Sequence, residues 1–323
     1  MTNRISTAAL FFAVLCGTTL ACQVPVFRYA FERWNPANYR LLVLTKDKDE
    51  TLQAAVDSLL TKGPSKPALD VEVVVMSEGE NPLHDQLWKA HGVEGEPLAV
   101  TFYPQTATQI GGQIAHLGSA SKSQLQGLVD SPVRAEIAKR LCQGESAVWV
   151  LLESGDEAKD RLARETLETQ LASDAEWLKL PTPEELEIQP EVLDQVKVKL
   201  KVAFSVISVS RTDSKEQFLI DCLLNSESDL RDFDEPIVFP IFGRGLVLYA
   251  LVGKGISADT IRAASSFICG PCSCQVKEQN PGFDLLMNFD WEAAIGTTMI
   301  SQPIPGSDAK PRLLTIPGGR SKK

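Results

Sequence analysis

The strongest constraint on the fold is an internal repetition: the second half of the chain runs through the same order of strands and helices as the first. In the first half, apolar runs at 41–45, 71–76, 98–103 and 110–117 read as strands. Helical spacing at 50–60, at 82–90 before a stop at Gly92, and from Ser121 onward fills the intervals. The second half answers with strands at 147–152, 196–209, 237–242 and 246–252, and helices at 156–178, 212–224 and 257–268. Overlapping capping boxes in Thr212-Asp213-Ser214-Lys215-Glu216-Gln217 open the middle helix, and Gly243-Arg244-Gly245 is a turn suited to a hairpin. Each half therefore has the order β-α-β-α-β-β-α. Two copies of that order predict an α/β protein of two tandem domains, each with a central mixed sheet.

The two ends of the chain speak to its address. Arg4 precedes an apolar run at 8–16, then Gly17, Thr18 and Thr19 and the string Leu20-Ala21-Cys22, which is the order of a cleavable export signal. The run is about half of the roughly 20 apolar residues that a membrane-spanning helix needs, so residues 1–21 are read as a signal peptide. Two processing routes stay open, cleavage after Ala21 or acylation of the Cys22 thiol. The bacterial lipoprotein signal resembles Leu20-Ala21-Cys22 in part, with Thr19 standing where Leu is usual. At the far end Lys310, Arg312, Arg320, Lys322 and Lys323 all follow the last acid, Asp308, in a stretch rich in Pro, Gly and Ser. That composition predicts a disordered basic tail at 301–323 able to touch an anionic surface. The whole chain carries a net charge of -10, which argues against nucleic acid as a partner.

Between the ends, roughly 150 residues per domain divides the chain in two. The first domain is expected at 22–143, opening on a short amphipathic helix behind Pro25 with Val26, Phe27, Ala30, Phe31 and Trp34 on one side. It closes on a linker helix begun by Ser131-Pro132, and the second domain is expected at 144–270. A proline-rich loop at 180–190 is an insertion in the second copy, and residues 271–300 form an aromatic extension, read as lying across the second domain.

The string His91-Gly92-Val93-Glu94-Gly95-Glu96-Pro97-Leu98, followed by Ser121-Lys122-Ser123-Gln124-Leu125, resembles the second half of thioredoxin over about 50 residues. Glu235-Pro236-Ile237 falls at the corresponding place in the second half. The resemblance implies a tandem thioredoxin-like fold, with Pro97 and Pro236 as cis prolines facing the places where that family carries its redox cysteines. The string from Cys22 to Trp34 and the block from Cys269 to Gly282 also resemble exported proteins of planctomycete-type bacteria, a resemblance that implies an exported address and brings no activity with it.

Thioredoxin-like enzymes need two cysteines where the first strand meets the first helix, because the helix N-terminus lowers the thiol pKa. Those loops here are Lys46-Asp47-Lys48-Asp49 and Ser154-Gly155-Asp156-Glu157, without a cysteine. Cys269-Gly270-Pro271-Cys272, followed by Ser273-Cys274, has the letters of the thioredoxin site but ends a helix, where the dipole opposes a thiolate. Three readings of Cys269, Cys272 and Cys274 stay open: a structural disulfide, a redox-active pair, or a thiolate site for copper or zinc. Cys142 and Cys222 lie on apolar helix faces as expected buried thiols. His84, His91 and His116 read as solvated polar positions, and adjacent His84 and Asp85 point about 100° apart on a helix, which is no dyad. The sequence thus points to an exported, non-catalytic binding or scaffold protein of the cell envelope, periplasmic or lipid-anchored, with a protein partner and no cofactor. A thiol-disulfide oxidoreductase using Cys269 and Cys272 is the alternative, and copper or zinc binding the third reading.

Overall fold

Two mixed sheets, one from each half, organise the chain. The computed structural model describes residues 23–61, 66–107, 110, 112–199, 201–272 and 276–301; the signal segment, Cys22, Cys274 and the tail beyond Ser301 lie outside them. After α1 (Val26–Arg33), the first half runs β1 (Tyr39–Thr45), α2 (Glu50–Thr61), β2 (Leu69–Val75), α3 (Pro82–His91), β3 (Leu98–Phe102), β4 (Ile114–Ser119) and α4 (Lys122–Val129). The strand order is β2-β1-β3-β4, with β1 parallel to β2 and the other pairs antiparallel. β1 is interior and apolar on both faces, whereas β2, at the edge, is only partly buried. Local signals start the helices: Asn81 caps α3 by accepting from the N–H groups of Leu83 and His84, and Ser121 caps α4 at Gln124.

The linker helix α5 (Pro132–Cys142) leads into the second half, which runs β5 (Ala147–Glu153), α6 (Glu157–Trp177), α7 (Pro190–Gln195), β6 (Phe204–Ser210), α8 (Gln217–Leu224), β7 (Ile237–Phe242), β8 (Leu246–Val247), β9 (Leu251–Val252) and α9 (Ala258–Cys269). β10 (Phe283–Asp284) and α10 (Trp291–Ile295) follow. The order here is β10-β8-β7-β5-β6, with β9 also on β7; β5 and β6 are parallel and β5 and β7 antiparallel. The chain is an α/β protein with two mixed sheets.

Several expectations need correction. The strand read at 196–209 begins only at Phe204; Val196 and Val198 are buried without a sheet neighbour, because alternation reports one-sided burial and not pairing. The strand read at 246–252 is two short ones. Pro240 of β7 accepts from Leu248 N at 3.0 Å but has no N–H to return, so the hairpin loses a rung between them. The amphipathic helix α1, assigned to the first domain, packs with α9 and β7 of the second. Its Val26 N donates to Gly270 O at 2.9 Å, and Phe27 and Tyr29 join the cluster of Trp149 and Ile268.

Beside one apolar cluster of its own on the outer face of each sheet, each half contributes to a core that the two share. One continuous apolar cluster joins α2, α4, α5 and α8 with Leu41 and Val43 of the first sheet and Val148, Val150, Phe239 and Ile241 of the second. The aromatic extension lies across this junction instead of across the second half alone. Tyr39 OH donates to Asp284 O at 2.7 Å, the Tyr103 and Phe283 rings meet edge to face, and Arg134 donates to Leu286 O.

Candidate functional site

A nucleophilic thiol in an α/β protein belongs at a helix tip that follows a strand, where free N–H groups and the dipole stabilise the anion. Carboxylates occupy the tip that follows the first strand of each half. After β1, Asp49 Oδ1 accepts from Thr51 N at 2.8 Å and Leu52 N at 3.2 Å. After β5, Asp156 Oδ1 accepts from Ala158 N at 3.0 Å and Lys159 N at 3.2 Å, while Asp160 takes Ser154 N and Gly155 N. The donors a thiolate would use are already engaged, at about 1 kcal/mol of stabilisation for each cap.

Cys269 sits instead at the C-terminal end of α9. It is buried, and burial together with the nearby Asp174 charge pushes its thiol up to about 12, against a hydrogen bond with Ser146. Cys272 is buried too, and its N–H donates to Val24 O at 2.9 Å. With the bridge between Pro25 and Pro271, this segment holds residues 24–26 as a short antiparallel pair. The Cys269-Gly270-Pro271-Cys272 block therefore docks the segment that leads into α1. Burial likewise pushes the Cys142 and Cys222 thiols up to about 12. Among the described residues no group of three or more His, Cys, Asp and Glu is arranged to hold a metal ion; Cys274, the third thiol of the copper or zinc reading, lies outside them.

Pro97 and Pro236 take equivalent places at the starts of β3 and β7. Ala120 N donates to Pro97 O at 2.7 Å and Gly253 N donates to Pro236 O at 3.0 Å, each from the end of the neighbouring strand. The peptide bonds before both are trans, which corrects the expectation of cis prolines. The trans form of an X–Pro bond is the lower in energy by about 0.5–1 kcal/mol. Pro236 lies beside the N-terminal end of α9, whose 12 residues span about 18 Å, so Cys269 is at the other end of that helix.

The histidines divide. His84 lies near Asn81 Nδ2 at 3.3 Å, and Asp85 turns to Gly79 N, so the two form no dyad. His116 is not solvated: it is 5% exposed, and its Nδ1 is 2.7 Å from Asp221 Oδ2 on α8. Asp221 Oδ1 accepts from Arg231 Nη2 at 2.6 Å and Gln217 Nε2 at 3.1 Å. Burial disfavours the Asp221 carboxylate, but the hydrogen bonds and charges of His116 and Arg231 outweigh it and hold that carboxyl below its usual range. One sequence signal could have revealed this cluster, the lone acid in Gln217-Phe218-Leu219-Ile220-Asp221-Cys222-Leu223-Leu224, since a charge on an apolar helix requires a partner.

In comparisons with known proteins, no family model, no curated protein and no solved structure matches the chain.

Proposed function

We propose that this protein is an exported, non-catalytic member of the thioredoxin-like group that acts in the cell envelope by binding or scaffolding a protein partner. The observation that carries the reading is the pair of helix tips closed by Asp49 and Asp156, where a redox member would present cysteine. The strand orders β2-β1-β3-β4 and β6-β5-β7-β8, with the first two strands of each parallel and the next antiparallel, support a twofold thioredoxin-like architecture. Export rests on the signal pattern at 1–21. Contact with a membrane would come through an acyl group on Cys22. Val24 is tied to Cys272, and Glu32 accepts from Ser301 N at 2.7 Å, so both ends of the described chain meet α1, about 12 Å long.

The test is insulin reduction by the mature chain with a thiol donor. The expected rate equals that of the donor alone and of the Cys269→Ser, Cys272→Ser double variant. A rate that exceeds the donor's and disappears in the double variant would establish the oxidoreductase instead.

A further inference from the structure

A cleft of about 230 Å³ lies between β4, α4 and α8, lined by His116, Ser123, Gln124, Lys215 and Gln217 among others. It is independent of the helix tips and thiols discussed above. Three features of its wall point one way.

The His116 ring is clamped. Asp221 holds Nδ1, and the Phe218 ring meets the imidazole edge to face at 5.6 Å. Nε2 has no hydrogen-bond partner among the described residues, although the residue is 5% exposed. Gly118 keeps that nitrogen open: a Cβ there would stand 3.0 Å from Nε2. The second feature is the start of α8. Glu216 occupies its N-cap position but turns its carboxylate away, to Ser131 Oγ and Val133 N, so no side chain caps the first turn. The N–H groups of that turn, beside Gln217 and Phe218 in the cleft wall, carry the positive end of the helix dipole.

Charge is the third feature. Asp221 is neutralised locally by Arg231, Asp213 is turned to Lys215 N, and Glu216 is buried toward α5. Lys215 is exposed on the rim and makes no ion pair among the described residues. What faces the opening is therefore an ammonium, a helix N-terminus and an imidazole nitrogen.

We propose that this cleft binds a small tetrahedral oxyanion of the phosphate type. With Nδ1–H given to Asp221, Nε2 is an acceptor when the ring is neutral and a donor when it is protonated. A phosphate can meet either state, because it carries both ionised and protonated oxygens near neutral pH, whereas an ionised carboxylate offers acceptors alone. Lys215 and the α8 amides supply the remaining positive contacts.

The experiment follows the three imidazoles of the mature chain by nitrogen-proton NMR during titration with inorganic phosphate, methyl phosphate and acetate; there are only three histidines to assign. The expected result is saturable movement of the His116 resonances with inorganic phosphate or methyl phosphate and little with acetate, His84 and His91 staying fixed. A response to inorganic phosphate alone marks the free ion as ligand, and a response to methyl phosphate as well marks a phosphomonoester. Lys215→Gln, a surface change that leaves the fold intact, should weaken binding by about 10-fold, and Lys139→Gln, which lies on α5, should not. Still His116 resonances, equal response to acetate, or unchanged affinity in Lys215→Gln would each overturn the proposal.

Discussion

At the scale of single residues, the buried polar groups are the informative ones, and their consequences depend on sign. Asp221 is held below the ordinary carboxyl value of about 4. A group depressed in the folded state adds stability that is present above the ordinary value and is lost as pH falls through the folded one. Asp284 runs the other way. Its burial raises its pKa in spite of Lys277 at 2.6 Å, so its contribution is greatest in acid and declines as pH rises. Thermal melts of the wild type and Asp221→Asn from pH 6 to pH 2.5 should separate the two groups. The variant melts lower at pH 6 and declines less steeply below about pH 4; parallel curves would show that the His116 and Arg231 contacts do not stabilise the carboxylate. The lone acid on an apolar helix was legible locally, but its partner was not, since Asp221 lies 105 residues from His116.

At the scale of elements, α1 shows how a helix can be read correctly and placed wrongly. Its apolar spacing behind Pro25 is plain in the sequence, yet seven of its eight residues are buried, including Arg28 and Glu32. A buried ion pair survives only when its remaining donors and acceptors are satisfied. Here Arg28 Nη1 donates to Val198 O at 2.6 Å, and the Glu32 carboxylate accepts from Ile300 N and Ser301 N. Arg244 of the β7–β8 turn donates to Phe31 O and Glu32 O, and the turn itself presses on the helix. Gly243 has φ 62° and would bring a Cβ within 2.7 Å of Ala30, a contact only glycine permits. Phe31 belongs to the shared core, packing edge to face on Trp291, while Phe27 and Ala30 of the same helix pack in the second-half cluster. Phe31→Ala should therefore cost about 3 to 5 kcal/mol in urea unfolding with an unchanged slope. A loss below about 1 kcal/mol would mean that α1 is only loosely seated.

At the scale of the whole molecule, the shared core decides how the protein unfolds. The two halves meet through apolar surface on α2, α4, α5 and α8 and through Tyr39, Tyr103 and Phe283. Calorimetry should accordingly show one transition with equal calorimetric and van't Hoff enthalpies. Separately expressed 22–143 and 144–301 should lack cooperative melts; two resolved transitions, or a stable isolated half, would contradict a joint core.

Most strands and helices were legible because each is written in the spacing of nearby residues, two apart for a strand and three or four for a helix. Caps such as Asn81, Ser121 and Asp156 are equally local, and so is the lack of cysteine at both helix tips. By itself, then, the sequence determined the repeated α/β order and the helix tips without cysteine. Tertiary structure alone decided that α1 belongs with the second sheet, that residues 269–272 grip residues 24–26, that both prolines are trans, and that His116 finds Asp221. Apart from the proline isomers, those outcomes depend on which buried group meets which partner across a hundred residues or more, and no pattern of neighbours along the chain records that.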